Sequence, residues 1–370
     1  MTADPAPRAI TRVGVLGTGL MGTSVAMAAV RAGASVTGWD VDPATTARAA
    51  AIGGFTEAAS LEEAIEGVDL VVVCTPISTI GPTVAAALAA TAGAIVTDVG
   101  SIMDPVARQV GADADPADLP RYVPGHPMGG SERSGPEHAS SSVVDGIVWV
   151  VSVTEEADPV AVETLESWIG ALGARPIRMS AERHDRLVAF VSHLPQVAST
   201  VLMSLAATEE ADEPEILLLA AGGFRDLTRL AASDAGLWSS ILLANTEQIA
   251  TAIDLYVESL QRLRDDVVGS RGDAVRTTFA RAKEARLRLA TKPQVRLGVA
   301  VLQVEAPDRP GALAELTSIL ADGRVNIEDL QIVHSPEGGR GTVHLTVAAA
   351  AAGHATEVLV GAGMDPVRLA

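Results

Sequence analysis

The sequence is poor in cysteine: Cys74 is the single cysteine in 370 residues. With no second thiol, the chain cannot form an internal disulfide framework or a cluster of thiolates around a metal ion. A protein without disulfides suits a reducing compartment, so we expect it in the cytoplasm. No residue pattern indicates a metal site, and we expect none.

Long apolar runs and net positive charge are missing as well. No segment reaches about 18 uninterrupted apolar residues, and the opening MTADPAPRAITR has no apolar stretch after its charges. The 27 Lys and Arg residues are outnumbered by 46 Asp and Glu, which gives a net charge of -19. Because such a surface repels nucleic acid and anionic membranes, we expect neither as a partner. An anionic small ligand would need individual arginines in a cleft.

The length of 370 residues exceeds what one hydrophobic core usually holds, and three parts can be distinguished. Over residues 1–178 short apolar strands alternate with Ala-rich helical stretches, which predicts an α/β fold with a Rossmann-type parallel sheet that the strand ARPIRMS closes. Over 179–293 the apolar spacing is helical, and long helices that are apolar on more than one face predict a homodimer. Over 294–370 the order βαββαβ predicts a small separate module.

A dinucleotide site is predicted at the end of the first strand. Gly17, Gly19 and Gly22 follow VGVL and open a helix, where they allow a tight turn, approach of the backbone to a pyrophosphate, and close packing of helix on strand. Asp40 ends the second strand, where a carboxylate binds ribose hydroxyls and repels a 2'-phosphate, so NAD is favoured over NADP. The same site is expected to include Leu20, Met21, Thr75, Pro76 and Ser101.

Polar residues stand out in three further stretches. Ser101 follows the strand TDVG, and His126 lies in the loop GHPMGG, both where strand ends of a doubly wound sheet line a ligand cleft. In the helical part, HDRLVAFVSHLPQ sets polar side chains on neighbouring faces of one helix, which Pro195 is expected to kink. These side chains are His184, Ser192, His193 and Gln196. Asp226 stands one turn before Arg229, whose guanidinium could grip a carboxylate with two hydrogen bonds.

In this order the motifs resemble the prephenate dehydrogenase family, which also includes arogenate and cyclohexadienyl dehydrogenases. The resemblance rests on GTGLMG with Asp40, DVGS, GHPMGGSERSG, HD followed by VSHLPQ, and GFRDLTRLAASD followed by a tryptophan, and it covers nearly the whole chain. It implies an NAD-dependent oxidoreductase acting on CH-CH donors, which converts prephenate to 4-hydroxyphenylpyruvate with loss of carbon dioxide in tyrosine biosynthesis. The alternative within the family is an arogenate dehydrogenase that forms tyrosine directly.

The resemblance also implies roles for single residues. His126 accepts the proton of the substrate hydroxyl, which a neutral imidazole can do near neutral pH, and Ser101 hydrogen-bonds that histidine beside the nicotinamide. Arg229 binds a substrate carboxylate. Asp226 and Trp238 support the pocket, and His184 and Asp185 shape the domain junction. Glu132 gates the cleft or is a surface acid, and His193 contacts the ligand or packs the helix.

Two departures from the family pattern bear on the substrate. Gln196 stands where many members that use prephenate carry a second histidine, so a positive charge beside the substrate side chain is missing. The choice between prephenate and arogenate therefore stays open. Met103 follows DVGSI where relatives often carry a lysine, which weakens the case for a cation beside the nicotinamide.

The stretch EAPDRPGALAEL near the C-terminus resembles the ACT domain, an amino-acid-binding regulatory module. In that family the first turn, here Asp308, Arg309, Pro310 and Gly311, borders an effector site together with the region of Asn326. We expect tyrosine or another aromatic amino acid as effector, and a dimerising module without ligand is the alternative.

Two other classes of function compete with this assignment. A β-hydroxyacid or 6-phosphogluconate type dehydrogenase would need a catalytic lysine on the interdomain helix, where this chain has SHLPQ. A non-catalytic sensor of NAD and an amino acid would have no need of His126, Ser101 and Arg229 together.

Overall fold

The computed structural model describes residues 8–129, 134–289, 299–307, 309–334 and 340–369. Two of the residues expected in binding sites, Glu132 and Asp308, lie outside these ranges. The chain forms two compact units. The first comprises Met1–Val201 and Leu230–Leu255, and the second comprises Leu202–Arg229 and Tyr256–Ala370.

The amino-terminal part of the first unit contains a five-stranded parallel sheet, as the β/α alternation predicts. Its strands are β1 (Arg12–Leu16), β2 (Ser35–Trp39), β3 (Thr56–Glu57), β4 (Leu70–Val73) and β5 (Ile95–Asp98), in the order β3-β2-β1-β4-β5. The helices between and after them are α1 (Leu20–Arg31), α2 (Pro43–Gly53), α3 (Leu61–Ile65), α4 (Ile77–Ala90) and α5 (Asp104–Asp113). The chain order reverses between β1 and β4, and ligands of doubly wound sheets bind outside the strand ends at such a point.

Two hydrophobic clusters cover the two faces of this sheet. Val13 and Val15 of β1 belong to the cluster that includes residues of α1, whereas Leu16 belongs to the cluster that includes Val84 and Leu88 of α4. Neighbouring side chains of a strand point to opposite faces, so a strand that is apolar at every position must be covered on both. The burial pattern thus confirms the doubly covered sheet.

The strands after β5 do not extend the parallel sheet in the way the sequence suggested. β6 (Gly125–Pro127), β7 (Val148–Val151) and β8 (Arg175–Arg178) form a second sheet, in which β6 and β7 are antiparallel and β7 and β8 parallel. The helix α6 (Pro159–Ala171) links β7 to β8, whereas only short 3-10 turns are described between β6 and β7. A parallel pair needs a long crossover, usually helical, so the first connection yields an antiparallel pair and the second a parallel one. ARPIRMS therefore closes this second sheet.

The helical region contains α7 (Ala181–Val188), α8 (Leu194–Glu209), α9 (Gly222–Thr228), α10 (Ala235–Ala244), α11 (Thr246–Val268) and α12 (Gly272–Leu289). A π-helical turn, Ala189–His193, joins α7 to α8, and the N–H of Leu194 donates five residues back to the carbonyl of Ala189. Pro195 has no N–H to continue the ordinary ladder, so the helix widens here where the sequence predicted a kink. By length and composition alone the run Ala181–Glu209 could cross a membrane, although such a run also occurs as a core helix.

The C-terminal part of the second unit has the predicted βαββαβ order. Its elements are β9 (Val299–Pro307), α13 (Ala312–Asp322), β10 (Asp329–His334), β11 (Arg340–Ala348), α14 (Ala352–Gly361) and β12 (Val367–Arg368). The strands pair antiparallel in the order β10-β11-β9-β12. Leu302, Leu316 and Leu345 lie in the hydrophobic cluster between this sheet and its helices, which gives the module a core of its own.

Candidate active site

The glycine loop has the geometry that a phosphate group requires. Gly17 has a φ of +93°, and a Cβ there would lie 2.7 Å from the Cys74 carbonyl. A Cβ on Gly22 would overlap the carbonyl oxygen of Gly17, whereas one on Gly19 would meet no protein atom within 4 Å. Gly17 and Gly22 therefore serve the packing of helix on strand, and Gly19 leaves open space at the amino end of α1. Leu20 and Met21 begin that helix.

Asp40 is held at the end of β2 by backbone donors. Its Oδ2 accepts a hydrogen bond from the Thr18 N–H at 2.8 Å, and its Oδ1 accepts from the Asp42 N–H at 3.1 Å. The carboxylate thus joins the glycine loop to the end of the second strand and keeps lone pairs for a ribose. The hydroxyls of Thr18 and Thr75 are buried without a hydrogen-bond partner in the described part of the chain. Pro76, next to Thr75, precedes α4 as its N-cap residue.

His126, at the centre of β6, is held by a chain of buried polar groups. Its Nδ1 lies 2.7 Å from Nε2 of His184, and Nδ1 of His184 lies 2.7 Å from Oδ1 of Asp185. Asp185 in turn accepts from the N–H groups of Met103, at 2.9 Å, and Asp104, at 2.8 Å. His126 thus lies on a strand where the sequence suggested a loop, and it is tied through α7 to the amino end of α5.

Burial keeps the His126 imidazole neutral at neutral pH. Desolvation, with smaller contributions from the nearby imidazoles of His184 and His193, lowers its pKa to about 3. Neutral imidazole has a lone pair on one ring nitrogen, so His126 can accept a proton.

Ser101 follows β5, and the sequence predicts its contact with His126. Within the described ranges the hydrogen-bond partner of His126 is His184, and no hydrogen bond of the Ser101 hydroxyl is present. Ser101 is partly exposed on the loop between β5 and α5, next to the buried pair Ile102 and Met103. Among the described residues His184 lies on the Nδ1 side of the ring, and the predicted contact of Ser101 with His126 stays a prediction.

Asp98 and Tyr122 form a buried pair that the sequence did not indicate, although Asp98 begins the motif DVGS. Asp98 ends β5 and is 1% exposed, and its oxygens accept from the Gly100 N–H and the Tyr122 hydroxyl, each at 2.8 Å. Desolvation raises the pKa of Asp98 to about 7, and hydrogen bonds that include the Gly125 N–H oppose that shift. Asp98 therefore links the loop that carries Ser101 to the strand that carries His126. Two sequence signals pointed to Asp98, namely its place at the end of the apolar run AIVTD and its place in the motif DVGS.

Two of the helical side chains expected around the substrate, His193 and Gln196, are buried. His193 is buried, its ring stands edge-on to Trp238 with centroids 6.1 Å apart, and desolvation lowers its pKa to about 4. Asn245, which the sequence did not indicate, donates to the backbone carbonyl of Asp185 at 2.9 Å and lies 3.4 Å from Nδ1 of His193. Buried Gln196 donates to the Leu230 carbonyl at 2.8 Å.

The remaining predicted residues are Ser192, next to His193, and residues of the second unit. Ser192 is partly buried in the π-helical turn. Asp226, in α9, and Arg229 are exposed residues of the second unit, so their approach to His126 stays a prediction. In the C-terminal module Arg309 pairs with Glu315 at 2.7 Å, and Pro310, Gly311 and Asn326 are exposed. Among the described residues no group of three or more His, Cys, Asp or Glu side chains is placed to hold a metal ion.

Family models match three consecutive parts of the chain. Residues 25–178 match "Prephenate dehydrogenase, nucleotide-binding domain", a range that begins just after the glycine loop. Residues 180–281 match "Prephenate dehydrogenase, dimerization domain", and residues 300–359 match the ACT domain. The three matches follow the order of the three parts that the sequence pattern distinguishes.

Individual proteins give the same result. The chain is 30% identical to prephenate dehydrogenase of Bacillus subtilis over 253 residues, 68% of each chain. It is 30% identical to cyclohexadienyl dehydrogenase of Zymomonas mobilis over 291 residues, 77% of this chain and 98% of the relative. Among solved structures, prephenate dehydrogenase from A. aeolicus in complex with hydroxyphenyl propionate and NAD+ is 25% identical and superimposes with a TM-score of 0.71, covering 76% of this chain and 99% of that one.

Proposed function

The chain belongs to the prephenate dehydrogenase family, and from this premise we propose how its residues oxidise the substrate. The enzyme catalyses the NAD-dependent oxidative decarboxylation of prephenate to 4-hydroxyphenylpyruvate. The observation that carries the assignment of roles is the neutral imidazole of His126, held on strand β6 by its hydrogen bond to His184.

The groups around β1 fit a dinucleotide. The open position at Gly19, the unpartnered hydroxyls of Thr18 and Thr75, and the carboxylate of Asp40 provide space, donors and a ribose acceptor. Leu20, Met21, Pro76 and Ser101 complete the proposed set. Bound there, NAD supplies the acceptor for the hydride that leaves the substrate ring. Asp40 selects NAD over NADP, because a second phosphate would face its negative charge.

His126 acts as the general base. Prephenate carries a hydroxyl on the ring carbon opposite its ring carboxylate, and loss of hydride turns that carbon into a carbonyl. The hydroxyl proton goes to His126, and the bond to the ring carboxylate breaks as carbon dioxide leaves and the ring becomes aromatic. Aromatisation drives the step, so the proposal includes no metal. A positioned base of this kind contributes about 10²–10⁴-fold in rate.

The substrate carboxylate is assigned to Arg229, supported by Asp226. A guanidinium binds a carboxylate through two parallel hydrogen bonds, which suits an anion in a protein of net charge -19. Trp238, His193, Ser192 and Glu132 are assigned to the rest of the pocket. These assignments follow the family motifs and are proposals for mutagenesis.

Arogenate is the second candidate substrate, and Gln196 favours it. Gln196 is neutral, and its amide already donates to the Leu230 carbonyl. It therefore brings no positive charge toward the side chain of the substrate. The ammonium group of arogenate would not be repelled there, whereas the keto acid of prephenate would lack a cationic partner.

Three domains are proposed at 1–178, 179–293 and 294–370, with two copies joined through the helices. Large apolar side chains such as Phe190, Val201 and Leu205 are more than half exposed in one chain. A second copy would remove them from water, and the dimerization-domain match supports this reading. With one free cysteine, partly buried, the dimer suits the cytoplasm.

The ACT domain is proposed to bind tyrosine as a feedback effector. Arg309, Pro310, Gly311 and Asn326 are exposed, and Asp308 completes the proposed set. A ligand would have to replace the ion pair of Arg309 with Glu315 and the hydrogen bond of Asn326 to Glu328. Equilibrium dialysis of labelled tyrosine, phenylalanine and tryptophan against the full-length protein tests this. Saturable tyrosine binding that inhibits turnover supports the assignment, and absence of saturable binding by all three refutes it.

Turnover assays test the catalytic proposal. NADH formation is followed with prephenate and with arogenate, each with NAD and NADP, for the wild type, His126→Asn and the control His138→Gln, which changes an exposed histidine. We expect His126→Asn to lose about 10²–10⁴-fold in kcat with NAD binding intact, and His138→Gln to behave as wild type. Failure of both substrates with the wild type would refute the function, and full activity of His126→Asn would refute the base.

A further inference from the structure

We propose that His184 and Asp185 form a positioning pair that holds His126 as its Nδ1–H tautomer and leaves Nε2 as the atom that takes the substrate proton. The inference rests on the proposed function, in which His126 is the base. It assigns Asp185 and His184 a task in the proton transfer, beyond shaping a domain junction.

The argument begins at Asp185, whose two oxygens both face backbone donors. The N–H of Met103 lies 2.9 Å from Oδ1 and the N–H of Asp104 lies 2.8 Å from Oδ2. A backbone N–H can only donate, so both oxygens are acceptors. These donors open α5, a ten-residue helix whose amino end favours a carboxylate.

The tautomer of His184 follows from this acceptor. Nδ1 of His184 lies 2.7 Å from Oδ1 of Asp185, so this nitrogen carries the hydrogen. In a neutral ring the other nitrogen, Nε2, then has a lone pair. Both side chains are almost fully buried, at 1% and 2% exposure, so water does not compete for these positions.

The tautomer of His126 follows in turn. Its Nδ1 lies 2.7 Å from the Nε2 lone pair of His184 and must donate, because two lone pairs at that distance would repel. The hydrogen on Nδ1 leaves Nε2 of His126 unprotonated. The rings stand at 81° with their centroids 4.9 Å apart, so the two imidazoles meet edge to face and do not stack.

The same chain gives the accepted proton a place to go. As the substrate hydroxyl proton binds to Nε2 of His126, the Nδ1 proton moves to Nε2 of His184, and His126 becomes neutral again. His184 then carries the positive charge beside the carboxylate of Asp185. The low pKa of His126 supports this step, because burial disfavours a charge that stays on that ring.

The other titratable groups near His126 do not supply this acceptor. His193 contributes a further imidazole whose own pKa is lowered to about 4, so it adds no charge at neutral pH. Asp98 reaches the strand of His126 through the Gly125 N–H, not through the imidazole. Among the described groups, the acceptor on the Nδ1 side is His184.

The test combines Asp185→Asn with nitrogen NMR of the full-length enzyme. An amide at position 185 must place its NH₂ at one of the two oxygen positions. At Oδ2 the NH₂ meets the N–H of Asp104, and at Oδ1 it meets the N–H of Met103 and also forces Nδ1 of His184 to accept, which reverses the tautomer chain. The matched control is Asp158→Asn, since Asp158 caps α6 by accepting from the Val160 N–H and has no histidine partner among the described residues.

We expect Asp185→Asn to lower kcat about 100-fold or more at unchanged KM for NAD, and Asp158→Asn to leave kcat within about twofold. His184→Gln, whose amide can accept from His126 Nδ1 and donate to Asp185, should retain more activity than His184→Leu. In protein labelled with ¹⁵N-histidine, the ring-nitrogen signals of the chain's seven histidines are few enough to assign. The signals that disappear in His126→Asn are those of His126.

A wild-type spectrum with the hydrogen of His126 on Nδ1, lost in Asp185→Asn, supports the proposal. A hydrogen on Nε2 in the wild type, or unchanged kcat in Asp185→Asn, overturns it. The spectrum is recorded without substrate, so it decides the tautomer even if the wild type oxidises neither prephenate nor arogenate, an outcome that would refute the proposed function alone.

Discussion

Alanine at Gly19 should weaken ligand binding, whereas alanine at Gly22 should lower stability, although the two glycines lie three residues apart in one motif. The Cβ of Gly19→Ala meets no protein atom within 4 Å and its φ of -68° suits any residue, so the protein itself can accept the methyl group. The Cβ of Gly22→Ala would overlap the Gly17 carbonyl oxygen. One substitution therefore obstructs the ligand and the other obstructs the fold.

The magnitudes follow from these contacts. Gly19→Ala loses at most about 1 kcal/mol from a weaker N-cap of α1, while a methyl group placed where the pyrophosphate approaches should weaken NAD binding about tenfold or more, equal to about 1.4 kcal/mol. Gly22→Ala must push α1 away from β1, and overpacking of this kind costs roughly 1–3 kcal/mol. For a domain of this size each kcal/mol lowers the melting temperature by about 2–4 °C.

Calorimetric titration with NAD and thermal unfolding without ligand separate the two effects. The control is Gly93→Ala, a loop position before β5 with equally open space. Wild-type NAD affinity in Gly19→Ala would refute the placement of the pyrophosphate. An unchanged melting temperature in Gly22→Ala would refute the steric argument.

Three further predictions concern charge and assembly. Burial raises the pKa of Asp98 to about 7, so between about pH 4 and 7 the native state keeps a proton that the unfolded chain releases. The free energy of unfolding should therefore fall as pH rises from about 4 to 7 and stay constant above that. Asp98→Asn should remove this dependence in thermal unfolding measured at several pH values. Asp40→Ser should raise kcat/KM with NADP relative to NAD by about tenfold or more, and unchanged selectivity would contradict the ribose assignment. Leu205 lies on the exposed side of α8, and Leu205→Asp should yield monomers in light scattering. The control Val153→Asp also changes an exposed apolar residue and should stay dimeric. A dimeric Leu205→Asp would place the interface elsewhere.

Local motifs predicted the parts of the fold and site that depend on neighbours in the sequence. Gly17, Gly22 and Asp40 act within one β-turn-α-β unit, so their spacing defined the loop before any tertiary contact was known. The βαββαβ module was likewise predictable, because alternating apolar strands and short helices follow each other without long insertions. The second sheet was not, since pairing direction depends on the geometry of connections.

Sequence alone determined which chemical groups the protein has and where the first strands end: a glycine loop after β1 and an acid after β2. Only the tertiary structure decided which group touches His126. The hydrogen-bond partner of His126 is His184, 58 residues away in sequence, which no sequence motif had paired with it. A hydrogen bond depends on distances of a few tenths of an ångström, which packing of α7 against the amino end of α5 sets and which no local pattern encodes.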